Sequence, residues 1–327
     1  MSRQVLKNWL SKIPAVVYVF AVLFIIAMLL YENFFTRTNI SNILRQSSVL
    51  GMASIGMSIV IICGSIDLSV GMMLGFAGAI AIKFQNNFLM AVLITLSLCA
   101  LVGLANGVII AKLKLPPMIT TISMMFLIRG LIFIINGPSA VRISSNATAF
   151  QIIGRGFIAG IPNPTIIFFI VTAVCAFVLK NTTLGRHIYA VGGNADSAAM
   201  MGIRNDRTLI LAHVICSIIA GIAGMIMTSR LGAITPLQGD AYETRAITAA
   251  VLGGTLLSGG VGSVWGTFAG TLVLGIISNT FNFQGNIMAG WQYVLNGLLL
   301  IIVVILQSQE LRRMIVSLIK KLRKLAS

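Results

Sequence analysis

Few residues in this chain have side chains that do chemistry. Seven Asp and Glu and two His stand among 327 residues, beside 23 Lys and Arg. Asp67 lies between two apolar runs, in Gly64-Ser65-Ile66-Asp67-Leu68-Ser69-Val70-Gly71. A charge at the centre of a bilayer costs roughly 2.5–3.5 kcal/mol on insertion scales, so such a residue needs a partner or a task. Two tasks fit Asp67. It caps the free amides of the span that begins at Leu68, with Ser69 close behind, or it lines a translocation path. Arg129, next to Gly130 in an apolar run, must face other helices or a wet cavity. There it can pair with Asp67 or Glu243, bind backbone carbonyls, or meet a solute hydroxyl. Glu243 precedes residues 246–270, a stretch dense in Ala, Gly, Ser and Thr whose small side chains let helices approach closely.

The chemistry of an enzyme is missing. His187 and His213 have no Cys, Asp or Glu at metal-ligand or triad spacing, so no metal site and no catalytic residue is expected, and His213 reads as a packed or cavity-lining residue. The four cysteines, Cys63, Cys99, Cys175 and Cys216, sit in or beside apolar segments without paired spacing. Leu257-Ser258-Gly259-Gly260 looks like the start of an ATPase signature, but Val261 follows where glutamine belongs. No G-x-x-x-x-G-K-[ST] loop exists to cradle a nucleotide, so this segment reads as a glycine-rich turn and the chain binds no cofactor of its own.

The elements that must hold these residues follow from composition. With 57% hydrophobic and 9% charged residues, the chain is an all-α polytopic membrane protein in a single transmembrane domain, residues 1–327. About ten transmembrane helices are predicted, at 13–31, 47–63, 68–82, 88–111, 118–136, 165–179, 208–229, 245–257, 265–281 and 291–307. The first run is too long for a signal-peptide core and no small-residue cleavage site follows it, so it stays as a span. With both termini placed in the cytoplasm, 15 of the 23 Lys and Arg fall on the inner side. Topology thus explains the net charge of +16, and no nucleic-acid partner is expected. The basic tail, 308–327, suits contact with anionic lipid. Gly103-Leu-Ala-Asn-Gly107 and Gly266-Thr-Phe-Ala-Gly270 share a spacing five spans apart. Five is odd, which hints at an inverted 5+5 repeat.

Residues 180–207 are the longest polar break. Lys180, Arg186, Arg204 and Arg207 mark it as cytoplasmic. Gly192-Gly193-Asn194 reads as a turn, with Asn194 the N-cap of a short helix over 195–201. Asp196 suits its first turn and Gly202 its stop. Ala198, Ala199, Met200 and Met201 then form a small apolar cap of the kind that wants a partner.

The wording of this loop, LGRxIYAVGGNxxSAAxMGI, resembles the cytoplasmic loop of the ribose/xylose/arabinose-type ABC importer permeases. CGSIDLSVG at 63–71, YETRAITAAVLGGTLLSGGVGSVWGTFAG at 242–270 and the Arg129-Gly130 pair extend the resemblance through nearly the whole chain. It implies that Gly193, Asn194, Asp196, Ala198, Ala199 and Gly202 couple the spans to a separate ABC ATPase subunit that uses ATP and Mg. It also implies a second permease copy and an extracytoplasmic sugar-binding protein, all working at a bacterial inner membrane. Thr244-Arg245 departs from the family's pattern before the IAAV run, which weakens transfer at those positions. The alternative is a stand-alone secondary carrier, which needs intramembrane acids or histidines for its ion. Asp67 is the only acid between closely spaced apolar runs.

Overall fold

A peptide group in hydrocarbon finds no water to bond, so apolar runs close their hydrogen bonds internally as helices. The computed structural model describes residues 15–283 and 290–307. The start of the first predicted span, at residues 13 and 14, and the basic tail 308–327 lie outside them. In chain order the helices are α1 (Ala15–Leu30), α2 (Arg37–Ile62), α3 (Val70–Lys83), α4 (Phe88–Lys112), α5 (Pro117–Asn136), α6 (Thr148–Arg155) and α7 (Asn163–Asn181). Then come α8 (Thr183–Gly193), α9 (Ala195–Met200), α10 (Asn205–Leu231), α11 (Tyr242–Leu252), α12 (Val264–Phe283) and α13 (Gly290–Gln307). Among the described residues, six of these are long and apolar enough to cross a membrane: α2, α4, α5, α7, α10 and α12. Three shorter apolar helices, α1, α3 and α13, accompany them.

The boundaries depart from expectation in three places. α2 starts at Arg37 rather than near residue 47, because its polar first turn is capped and its Asn39 is buried and paired. The Thr36 side chain accepts the Asn39 amide at 3.3 Å, and Asn39 exchanges amide hydrogen bonds with Asn279 of α12 at 2.8 and 3.1 Å. α11 stops at Leu252, before a turn in which Gly254 has φ +92°. The supposed loop 137–164 contains α6 and two antiparallel ladders. One pairs β1 (Val141–Arg142) with β4 (Ala233–Ile234), and the other pairs β2 (Phe157–Ile158) with β3 (Ile161–Pro162).

Two helices organise the bundle. α2 is the most enclosed of the long helices, with 89% of its apolar window buried. α10 packs along α4, α3 and α2; α2 packs along α12, α11 and α7. The pairing is crossed: the fourth and third helices lie on α10, while α12 and α11 lie on α2.

Candidate functional site

Two chain breaks and one polar segment meet at the heart of the site. The first break, Cys63–Ser69, separates α2 from α3. Several of its backbone amides have named partners, as apolar surroundings require. Gly64 N–H donates to the Ile61 carbonyl at 2.9 Å and Ser65 N–H to Val60 at 3.0 Å. Leu68 N–H donates to Thr121 Oγ1 of α5 at 3.1 Å, and Ser69 N–H donates to Asp67 Oδ1 at 3.0 Å. The Asp67 carboxylate therefore satisfies the amide at the N-cap of α3 and none within its first turn; Ser69 is that N-cap residue and makes no side-chain cap bond.

The other oxygen of Asp67 has a partner that spacing along the chain did not reveal. Oδ2 lies 3.1 Å from His213 Nδ1 on α10, and His213 Nε2 lies 3.0 Å from Ser65 Oγ. Ser69 Oγ donates to Asp67 Oδ1 at 2.5 Å and itself accepts from Asn106 Nδ2 of α4 at 3.0 Å. An ionised carboxylate only accepts, so the Nδ1 proton points at Asp67 and, in the neutral imidazole, Nε2 accepts from Ser65. The order Ser65–His213–Asp67 has the connectivity of a hydrolytic triad. Yet Ser65, His213 and Asp67 are 3%, 0% and 1% exposed, so no ester reaches the hydroxyl. The cluster ties the break to α10 and α4. His213 is packed, as expected; its tie to Asp67 is a contact 146 residues apart in sequence.

Arg129 does not reach Asp67, whose oxygens are already engaged. Its nearest acid is Asp240, at 3.8 Å, and both side chains are partly exposed. Glu243 sits one step beyond the network, its Oε2 buried without a hydrogen-bond partner among the described residues and packed against Gly71. A methyl group added at Gly71 would land on that oxygen and 2.7 Å from the Gly239 carbonyl. Gly71→Ala is therefore expected to destabilise the purified protein by roughly 1–3 kcal/mol, the usual range for overpacking. Gly130→Ala meets nothing within 4 Å and removes a helical glycine, so it should be neutral or slightly stabilising. Thermal melts of the two variants check this; equal losses would show that packing at Gly71 is not the cause.

The polar segment folds as two short helices. Thr182 caps α8 through the Gly185 amide at 3.3 Å. α8 runs through Gly192 and Gly193, which therefore end a helix instead of forming the expected turn. Asn194 alone joins α8 to α9, and its side chain accepts the Ser197 amide at 2.8 Å. Gly202, at φ +81°, ends α9, and the Ile203 amide closes back on the Ala198 carbonyl at 3.1 Å. Asp196 and Ala199 are exposed, whereas Ala198 is 1% exposed and faces inward. The outward face is made by Met200 and Met201, 88% and 72% exposed.

The end of α8 is seated between both breaks. In the second break, between α11 and α12, Gly259 and Gly260 adopt φ +85° and +72°, and Gly260 N–H donates to the Ile62 carbonyl at the end of α2 at 2.9 Å. Gly192 lies over that bond: a Cβ there would land on the Ile62 oxygen and 2.8 Å from the Gly260 nitrogen. Gly64 and Gly259 also lie close to Gly192. Tyr189 Oη donates to the Gly262 carbonyl at 2.9 Å, a second tie between α8 and the same break. Sequence reasoning missed Gly192, Tyr189 and Gly259–Gly260. Their signal was present, as glycines at three separated sites with no helical or strand period to explain them.

Among the described residues no group of three or more His, Cys, Asp and Glu is placed to hold a metal ion.

The chain is similar to several known proteins. The family described as "Branched-chain amino acid transport system / permease component" matches residues 39–304. The ribose import permease RbsC of Escherichia coli K12 is 36% identical, covering 93% of this chain and 96% of its own. RbsC of Bacillus subtilis 168 is 35% identical over 88% and 90% of the two chains. The L-arabinose transport system permease AraH of E. coli K12 is 35% identical over 88% of each. No solved structure matches the chain. The chain thus belongs to the permease components of ABC importers, the family of the ribose and arabinose permeases, and is a multi-pass inner-membrane transport subunit with no enzymatic role of its own.

Proposed function

We propose that this chain moves a monosaccharide, or a similarly uncharged and hydroxyl-rich solute, into the cytoplasm on energy from a separate ATPase. Ten spans with both ends inside put α8 and α9 in the cytoplasm, and two copies form the path. The crossed pairing of α3 and α4 on α10, and of α11 and α12 on α2, supports an inverted 5+5 repeat. Solute arrives from an extracytoplasmic binding protein. The ribose and arabinose names of the relatives support a sugar cargo.

The observation that carries the proposal is the seat of Gly192 against both chain breaks. A force on α9 is transmitted through Asn194 to α8, and from there to the ends of α2, α3, α11 and α12 together. Such a joint turns ATPase closure into a two-state rocking of spans. Asn194, Asp196, Ala198, Ala199 and Gly202 shape the lever, and Met200 and Met201 form its contact face; Gly193, whose added Cβ would meet nothing, only continues α8 to Asn194.

Purification of the tagged chain from native membranes in mild detergent tests this. An ATPase with Walker motifs is expected to co-purify. In Met200→Glu/Met201→Glu its capture should fall about 30-fold, corresponding to about 2 kcal/mol at an interface hot spot. A chain that comes down alone and still drives gradient-coupled uptake in vesicles would overturn the proposal in favour of a secondary carrier.

A further inference from the structure

A cleft of about 730 Å³ opens between the end of α7, the outer side of α8 and the start of α12. Its lining is mixed: Lys180 and Arg186 supply two cations, Phe177, Val264, Trp265 and neighbouring alanines an apolar surface, and Tyr189, Asn181 and Ser263 polar groups. Both cations are exposed, and among the described residues neither forms an ion pair. Trp265 is 49% exposed and stacks obliquely on Phe169, with ring centres 6.0 Å apart. Two cations beside an apolar surface, with Trp and Tyr at a membrane boundary, match one ligand chemistry: a phosphodiester head carrying an acyl chain.

We propose that this cleft is a binding site for an anionic phospholipid of the inner leaflet. The headgroup phosphate sits between Lys180 and Arg186, and one acyl chain lies along Phe177 and Trp265. The cleft itself decides between lipid and other acidic partners. Its mostly apolar lining offers little to a hydrophilic protein loop and covers an acyl chain well. Tyr189 gives the site a consequence, because the same side chain ties α8 to Gly262. A lipid held here braces the joint that carries motion from α9 to the breaks. The site depends on the cytoplasmic placement of α8 proposed above.

Trp265 is a built-in reporter. The chain has three tryptophans, so Trp9→Phe/Trp291→Phe leaves Trp265 alone. This full-length variant is reconstituted in phosphatidylcholine bilayers containing brominated phosphatidylglycerol or brominated phosphatidylcholine. Each cation near a membrane surface contributes about fivefold toward an anionic lipid, so the brominated phosphatidylglycerol should quench Trp265 at roughly 30-fold lower mole fraction. Lys180→Gln/Arg186→Gln should bring the two lipids to parity. Parity in the parent, or a preference that survives in the double variant, overturns the proposal. So does loss of the preference on adding inorganic phosphate, which would mark a free-anion site. Native mass spectrometry of the unaltered chain keeps the test available if the tryptophan variant does not fold. Anionic-lipid adducts should persist on the parent and disappear with Lys180→Gln/Arg186→Gln. If the ATPase fails to co-purify while the quenching holds, the importer reading falls and the lipid site stands.

Discussion

Gly192→Ala is expected to abolish ATP-driven uptake, while its neighbour Gly193→Ala transports normally. The two positions share composition, helix and sequence context, and differ in what surrounds the missing Cβ. At Gly193 nothing lies within 4 Å of it, and alanine is the better helix former by about 1 kcal/mol. At Gly192 the methyl group would land on the Ile62 carbonyl and crowd the Gly260 amide, the two groups that hydrogen-bond each other at 2.9 Å. Those atoms belong to backbone, so no side-chain rotation relieves the clash. α8 must lift or the Gly260–Ile62 bond must break. Either change costs about 3 kcal/mol, the upper end of overpacking, and the strain falls on the joint between α8 and the two breaks. The variant should still reach the membrane and capture the ATPase, since α9 and its methionines are remote from the methyl. Uptake and stimulated ATP hydrolysis in proteoliposomes should both fail. Normal uptake by Gly192→Ala would show that the joint does not carry the motion.

That adjacent glycines divide so sharply shows where the sequence stops being legible. The helices could be read because the bilayer leaves the backbone one option, and a run of about 20 apolar residues declares it. The cap at Asn194 and the stop at Gly202 were equally readable, since both follow from local hydrogen bonding within a few residues. The start of α2 was not, because its polar first turn is stabilised by Asn279, a contact 240 residues distant that hydropathy does not register. The same limit hid the partner of Asp67. A buried acid predicts that some group must answer it, but not which one. The pairing with Arg129, plausible by charge, lost to His213 because α10 packs on α3 and places the imidazole beside the break. Ala198 illustrates the converse. Its place in the apolar cap was clear from the sequence, but a six-residue helix has too little period to show that Ala198 points inward and Met200 and Met201 outward.

Asp67→Ala is expected to be the most destabilising single substitution in the break, lowering stability by about 3–5 kcal/mol, the range for removing one partner of a buried ionic or strongly hydrogen-bonded pair. Three groups lose their acceptor at once: the Ser69 amide, the Ser69 hydroxyl and His213 Nδ1. All are buried, so no water replaces the carboxylate without opening the bundle. Asp67→Asn should be milder. Its carbonyl oxygen still accepts from Ser69, and its NH2 donates to His213 Nδ1 if the imidazole adopts its other tautomer, with Nε2–H then donating to Ser65 Oγ. A double-mutant cycle with His213→Ala, read by thermal unfolding of the solubilised protein, separates the pair from its surroundings. A coupling of about 1–3 kcal/mol is expected, because the second substitution removes a group already orphaned by the first. Additive losses would mean that the 3.1 Å contact is incidental, and that Asp67 serves α3 alone through Ser69. Coupling at that size would make the break a fixed corner held from α10 and α4. Gly64 could then hold its place beside Gly192 while α8 moves.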